Sequence, residues 1–155
     1  MRLSRARQAP SVMTMRQSQV WAFDVDGCLV DSLSGTSLRP HARELLTALH
    51  QRGDTLVLWS AGGQEHGERI VSQHGLGHLF DGIYDKRGRD DSGRLHTTHL
   101  RHHHIPHVAV DDRPEEGPST ARVVGVSPYM SGDPADRGLV PLLLEVCPER
   151  TNAVT

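Results

Sequence analysis

The sequence predicts an α/β domain with a three-layer, Rossmann-like architecture, in which a parallel sheet of about five strands lies between two layers of helices. Two observations predict this class. Short apolar runs of β-forming residues alternate along the chain with segments of helical length, and such alternation is typical of parallel strands joined by right-handed crossovers. The chain has 155 residues, of which 36% are hydrophobic, and this suffices for one core and one domain.

The first half of the predicted sheet begins with residues 20–25. This apolar run is bounded by turn-prone Asp and Gly and is expected to be the central strand, buried on both faces. A helix is predicted to start at Pro40 and to end before Gly53, because the apolar residues between them recur at helical spacing. Residues 55–59 repeat the buried-strand pattern, and a second helix is predicted for residues 64–74.

The second half of the chain completes the alternation with shorter elements. The pattern predicts a strand at residues 82–84, a polar loop, a His-rich helix at residues 95–104, and strands at residues 108–110 and 123–126. The last apolar segment predicts a helix that packs on the sheet. It should start near Val140 or be kinked there, because Pro141 does not fit a helix interior.

The ends and the composition restrict the class of protein. Residues 1–18 are basic and polar without an apolar stretch, so we expect them to be disordered and not to act as a secretory signal. No apolar run approaches the roughly 20 residues needed to cross a bilayer. The two cysteines, Cys28 and Cys147, form no disulfide framework. We therefore expect a cytoplasmic protein without membrane contact, and the net charge of -2 argues against a general nucleic-acid scaffold.

Polar side chains follow the predicted strands at the points where those strands end. They are Asp24 and Asp26 after the first strand, Ser60 after the second, Lys86 after the third, and Asp111 and Asp112 after the fourth. Because the carboxyl ends of parallel strands meet at one edge of a sheet, we expect all of them in a single site. Carboxylates gathered in this way require a cation, and hard oxygen ligands favour Mg²⁺ over Zn²⁺. Lys86 is the single lysine beside 16 arginines, which favours a specific role for its ammonium group.

At these residues the chain resembles the haloacid dehalogenase (HAD) superfamily of phosphatases, which use an aspartate nucleophile. The resemblance rests on four motifs in order: DVDGCLVDS from Asp24 to Ser32, the strand ending LWS at Ser60, Lys86, and VAVDD ending at Asp112. It covers roughly residues 20–126, most of the folded chain. The resemblance therefore implies one HAD-like catalytic domain at residues 19–150.

The resemblance implies Mg²⁺-dependent hydrolysis of phosphomonoesters through an aspartyl-phosphate. Asp24 would be the nucleophile, and Asp26 would act first as general acid and then as general base. The Asp24 carboxylate, the Asp26 carbonyl group and Asp112 would hold the metal. Asp111 would support Asp112 or share the ion, and the order of the two is left open.

The resemblance also implies how the phosphoryl group is bound. Ser60 and Lys86 would hold its oxygens in the transition state, and Lys86 would also offset the charge of Asp24. Gly27 and Ala61 would join them among the substrate-binding residues. Ser60 taken alone fits a helix cap before a Gly-Gly turn, and it can serve in both ways because a helix N-terminus is also an anion site.

The expected substrate follows from the lack of a cap domain. Members of the superfamily often carry such a domain, but the interval after the first motif offers only residues 33–39, and the next interval holds one helix and a strand. An open site suits a phosphate at the end of a macromolecule, on a protein, or on a small metabolite enclosed by a second subunit in a homo-oligomer. Nucleic acid is expected only as a substrate, favoured by arginines near the mouth: Arg87, Arg89, Arg94 and Arg113.

Other interpretations stay open at this point. The fold also suits a non-catalytic protein that binds a phosphorylated ligand or regulates a partner, and the same residues can perform phosphotransferase chemistry on an acceptor other than water. The histidines between His96 and His107 include pairs three and four apart, which on a helix can share Zn²⁺ or Ni²⁺. A polar, solvated crossover helix is the favoured interpretation of that segment. Cys28 is predicted to be a small buried side chain and not a reactive thiol.

Overall fold

The computed structural model describes residues 16–150 and has one sheet of five parallel strands. The strands are β1 Val20–Asp24, β2 Thr55–Ser60, β3 Gly82–Asp85, β4 Val108–Asp111 and β5 Arg122–Gly125. The helices are α1 Ala42–Gln51, α2 Gln64–Gln73 and α3 Val140–Val146. The order across the sheet is β3, β2, β1, β4, β5, so β1 is central, as predicted. Of the segment predicted to be disordered, residues 1–15 lie outside the described residues.

The two faces of the sheet are covered differently. All three helices pack on one face, where Trp21 and Phe23 of β1 lie in the main core with apolar residues of α1, α2 and α3. Ala22 and Trp59 pack on the opposite face with Leu95, which belongs to the chain crossing from β3 to β4. The prediction of helices on both faces is therefore wrong for residues 16–150, because the third layer consists of irregular chain.

The predicted His-rich helix at residues 95–104 accounts for this difference. A single 3-10 turn, His102–His104, forms in that segment instead. Single histidines of the segment contact the sheet: His99 Nε2 lies 2.7 Å from the carbonyl oxygen of Asp85. His104 Nδ1 lies 2.6 Å from the hydroxyl group of Tyr84. Contacts of this kind hold an extended chain close to the sheet. Two adjacent threonines in the segment are weak helix formers and also disfavour a helix there.

The connection from β1 to α1, residues 25–41, is held by a buried arginine. The side chain of Arg39 is fully buried, and its Nε donates to Asp136 Oδ2 at 2.7 Å. Its Nη2 donates to the carbonyl oxygen of Ser127 at 2.6 Å, and its Nη1 to that of Cys28 at 3.3 Å. Arg39 thereby fastens this connection to the segment before α3. Within residues 16–150, neither this connection nor the one from β2 to β3 contains an inserted domain.

The cysteines agree with their prediction. Cys28 and Cys147 are both buried free thiols. Burial raises the pKa of the Cys28 thiol well above its usual value, so it is a poor nucleophile. In the part of the chain that the structure describes, no helix has the length and apolar character needed to cross a membrane.

Candidate active site

Three carboxylates meet at the carboxyl edge of the two central strands. Asp24 ends β1 and Asp111 ends β4, and these strands are neighbours in the sheet. The register pairs Phe23 with Val110, so the aspartates that follow them also lie side by side. Asp112 comes next in the chain, and ligand oxygens of all three carboxylates lie within 4.8 Å of one another. The structure therefore brings together three of the four carboxylates that the sequence singles out.

Lys86 lies between two of these carboxylates. Its backbone N–H donates to the carbonyl oxygen of Ser60 at 2.9 Å, which fixes the start of the side chain beside β2. Its Nζ donates to Asp24 Oδ1 at 2.8 Å and to Asp111 Oδ2 at 3.0 Å. Only 10% of the lysine side chain is exposed. The ammonium group is thus a buried cation shared by two acidic side chains.

Burial and charge pairing oppose each other in this cluster. Burial raises the pKa of Asp24 to about 8, with Lys86 opposing the shift and Asp111 adding to it. Burial by itself would lower the pKa of Lys86, but the attraction of the two carboxylates raises it above its ordinary value. At neutral pH, Asp24 therefore needs a proton or a further cation to be stabilised in its buried position.

Asp111 and Asp112 differ in how far their oxygens are engaged. Asp111 is buried, and its Oδ1 accepts the backbone N–H of Arg113 at 2.9 Å while its Oδ2 accepts from Lys86. Asp112 is half-buried and lies against Gly27, where a Cβ atom would come within 2.7 Å of Asp112 Oδ2. Gly27 also has a φ of 78°, a backbone conformation that residues with a side chain rarely adopt. Glycine is required here for both the backbone conformation and the space that Asp112 occupies.

Asp26 also lines the cavity into which these groups open. Its carboxylate is 41% exposed and lies outside the cluster of three carboxylates. His66, in the first turn of α2, places its Nε2 at 2.9 Å and 3.1 Å from the two oxygens of Asp26. Sequence reasoning missed His66. The one available signal is its place just after the Gly62-Gly63 turn, at the helix end that faces the carboxyl edge of the sheet.

Ser60 and Gly27 are close to the cavity without lining it. Ser60 is fully buried, and its Oγ accepts the backbone N–H of Gly62 at 3.1 Å. Its hydroxyl group therefore shapes the turn before α2. The expectation that Ser60 caps the helix is wrong, because the N-cap of α2 is Gly63 and no side chain caps this helix. Ala61, the next residue, does line the cavity.

The site opens into a cavity of about 360 Å³. The four aspartates, Lys86 and Ala61 line it together with residues of the chains that follow β3 and β4. Those residues are Gly88, Arg89, Leu95, Arg113 and Glu116. Glu116 pairs with Arg89 at 3.0 Å, so part of the positive charge expected at the mouth is already neutralised. Arg113 remains 69% exposed, within 4.0 Å of the same glutamate.

Comparison with known proteins finds a family and several similar solved structures. A family model described as "Protein of unknown function (DUF705)" matches residues 5–111, a range that extends from before β1 to the end of β4. The crystal structure of an uncharacterized protein from Listeria monocytogenes serotype 4b is 20% identical, with a TM-score of 0.45. That match covers 82% of this chain and 98% of the Listeria chain. The comparison with curated proteins finds no match.

Proposed function

The chain belongs to the DUF705 family of proteins of unknown function, and we propose that it is a Mg²⁺-dependent phosphatase of the HAD type. One observation carries the proposal: Lys86 Nζ bridges Asp24 and Asp111 at 2.8 Å and 3.0 Å at the carboxyl edge of a parallel sheet. A buried carboxylate held against an ammonium group at that edge is equipped to attack a phosphoryl group whose oxygens the ammonium binds.

The donor set fits a hard divalent cation. Asp24, Asp111 and Asp112 offer oxygens within 4.8 Å of one another, and the group includes no sulfur or nitrogen ligand. Oxygen ligands of this kind suit Mg²⁺. Lys86 supplies one positive charge against three carboxylates, so the cluster retains excess negative charge when all three are ionised. Mg²⁺ bound there would supply charge neutralisation and bind phosphate oxygens.

Asp111 and Asp112 have different parts in this proposal. Both oxygens of Asp111 already accept hydrogen bonds from this chain's own donors. Asp112 is more exposed and faces the cavity, which makes it the better candidate for the principal metal ligand. Asp111 then acts mainly by holding Lys86 in place. This is the order that we propose for the two residues, which the sequence left open.

The reaction follows from the positions of Asp24 and Asp26. A carboxylate oxygen of Asp24 attacks phosphorus, the bond from phosphorus to the ester oxygen breaks, and Asp26 gives its proton to that leaving oxygen. Water then attacks the aspartyl-phosphate, Asp26 takes up a proton from it, and the bond between phosphorus and Asp24 breaks to release phosphate. Lys86 stabilises the negative charge on the transferring oxygens. The turn that Ser60 shapes presents Ala61 to the substrate.

An open site favours substrates whose phosphate projects from a larger body. Residues 16–150 contain no inserted domain that would enclose a small molecule. We therefore propose a phosphomonoester at the end of a macromolecule, including nucleic-acid ends, on a protein, or on a metabolite covered by a second copy of the chain. The exposed guanidinium group of Arg113 suits an additional negative charge on the substrate.

The experiment that tests the proposal measures phosphate release from an aryl phosphate with and without Mg²⁺. The variants are Asp24→Asn, which removes the nucleophile, and Asp54→Asn, a control that changes another buried aspartate, just before the start of β2. We expect Mg²⁺-dependent activity that is lost in Asp24→Asn and kept in Asp54→Asn below its unfolding temperature. An inactive wild type would favour a non-catalytic binding protein, and an active Asp24→Asn would exclude Asp24 as nucleophile. Phosphate transfer to an added alcohol at the expense of free phosphate would instead indicate a phosphotransferase.

A further inference from the structure

His66 lies where α2 meets the mouth of the cavity. Its ring packs against Gly62, where a Cβ atom would come within 2.8 Å of His66 Cδ2. The side chain is 21% exposed, and its Nε2 contacts both oxygens of Asp26. Two elements therefore fix the ring, the helix that carries it and the glycine turn beneath it. The ring in turn contacts the carboxylate that the proposed mechanism uses for proton transfer.

The direction of this hydrogen bond follows from Arg69. Arg69 Nη2 lies 2.9 Å from His66 Nδ1, one helical turn along α2. A guanidinium group can only donate hydrogen bonds, so Nδ1 is the acceptor and the ring proton is on Nε2. The Nε2–H group then donates to Asp26. The network of Arg69, His66 and Asp26 is thus directed from the helix toward the cavity.

We propose that His66 is a positioning residue for Asp26, an inference that rests on the phosphatase function proposed above. Asp26 follows the end of β1, and its carboxylate is 41% exposed, so contact with His66 is what restricts its position. The hydrogen bond from His66 restricts that carboxylate to a position in the cavity lining outside the cluster of three carboxylates. There the Asp26 carboxyl group can give a proton to a leaving oxygen without itself binding the metal. Orienting a catalytic acid in this way reduces the entropy lost on reaching the transition state.

The leaving group distinguishes a positioning role from a structural one. Departure of an alkyl oxygen needs a proton, whereas 2,4-dinitrophenolate leaves without one. General acid catalysis typically contributes on the order of 100-fold to 10,000-fold in rate. A variant that misplaces Asp26 should therefore lose kcat/KM on an alkyl phosphate and keep most of it on 2,4-dinitrophenyl phosphate. The ratio kcat/KM is the appropriate measure because it reports the steps up to departure of the leaving group.

The test compares His66→Ala, His66→Gln and a control, His78→Ala, which changes an exposed histidine in another turn. For His66→Ala we expect kcat/KM to fall on the order of 10-fold to 100-fold on the alkyl phosphate and less than about threefold on the dinitrophenyl ester. His66→Gln should recover part of the loss because its amide still donates, and His78→Ala should match the wild type. In an Asp26→Asn background, His66→Ala should have no further effect on the alkyl phosphate.

Two results would overturn the inference without touching the phosphatase proposal. One is an equal loss on both esters in His66→Ala and His66→Gln. The other is a full additional loss in the Asp26→Asn background, which would mean that His66 acts independently of Asp26. Thermal unfolding of each variant shows whether a loss of activity comes from misfolding. If His66→Ala is misfolded, His66→Gln is compared with the wild type instead. An inactive wild type, or an active Asp24→Asn, would overturn the phosphatase proposal and this inference together.

Discussion

The lack of a side chain at Gly27 leads to a prediction that separates the metal site from the stability of the fold. In Gly27→Ala, the new Cβ atom would lie 2.7 Å from Asp112 Oδ2, against 3.4 Å for an ordinary contact. The carboxylate would have to retreat by about 0.7 Å, whereas metal sites tolerate deviations of about 0.2 Å. We therefore expect Mg²⁺ affinity to fall on the order of 10-fold to 100-fold, the range typical when the support of a ligand is disturbed.

The matched control is Gly53→Ala. Gly53 has a φ of 88° and no atom within 4 Å of the position where Cβ would lie, so the substitution carries the backbone cost without a steric clash. Both variants should lose about 1–2 kcal/mol of unfolding free energy from the left-handed backbone conformation. Only Gly27→Ala should need more Mg²⁺, because only its new methyl group displaces Asp112.

The assay is the Mg²⁺ concentration at half-maximal phosphate release, measured beside thermal unfolding in the presence of a chelator. For a chain of this size, the expected loss of stability corresponds to a decrease in Tm of roughly 2–4 °C per kcal/mol. If Gly27→Ala keeps the half-saturating Mg²⁺ concentration of the wild type, Asp112 is not a metal ligand. If Gly53→Ala raises that concentration equally, the backbone cost alone explains the effect and the steric argument is refuted.

The buried ion pairs remote from the cavity give two further predictions. Replacing Arg39 by Met leaves Asp136 without its partner, so the unfolding free energy should fall by about 3–5 kcal/mol in chemical denaturation; a loss below about 1 kcal/mol would contradict this reading. Asp54 is buried, yet hydrogen bonds from Gln19, Arg16 and Arg52 outweigh that burial and hold its pKa below the ordinary 3.8. Its carboxylate therefore stabilises the fold above that pH, and this stabilisation is lost as pH falls through the lowered pKa. Asp54→Asn should lower the unfolding free energy by about 3 kcal/mol at pH 7 and by progressively less below pH 4. A loss that does not change with pH would show that the pKa of Asp54 is not lowered in the folded protein.

The strands and their polar ends could be predicted because the signals for them are local. A run such as that of β1 combines apolar residues with an abrupt stop at Asp and Gly, and both features lie within a few positions. The parallel order then places the ends together, since right-handed crossovers leave few alternatives. That reasoning was sufficient to bring Asp24, Asp111, Asp112 and Lys86 to one place.

The His-rich segment could not be predicted in the same way. Its histidines have helical spacing, but spacing predicts a helix only when one side of it has a core to cover. Leu95 and Leu100 are the buried aliphatic side chains of residues 86–104, too few for a helical stripe. Contacts with Asp85 and Tyr84 instead fix the histidines one by one. The sheet face beneath the segment offers these contacts in place of a helix. A local sequence pattern cannot show them, because the residues of that face come from other parts of the chain.

The sequence by itself determined the class of fold, the central position of β1 and the identity of the acidic cluster with its lysine. These depend on hydrophobic periodicity, turn chemistry and the handedness of crossovers, all of which act over short stretches of chain. Only the tertiary structure decided the irregular third layer, the inward turn of Ser60 and the pairing of Asp26 with His66. Asp26 and His66 are 40 positions apart. They meet because α2 packs on β2 and β3, which brings its first turn beside the chain that leaves β1. Such a meeting depends on the packing of two elements against each other and not on either segment alone.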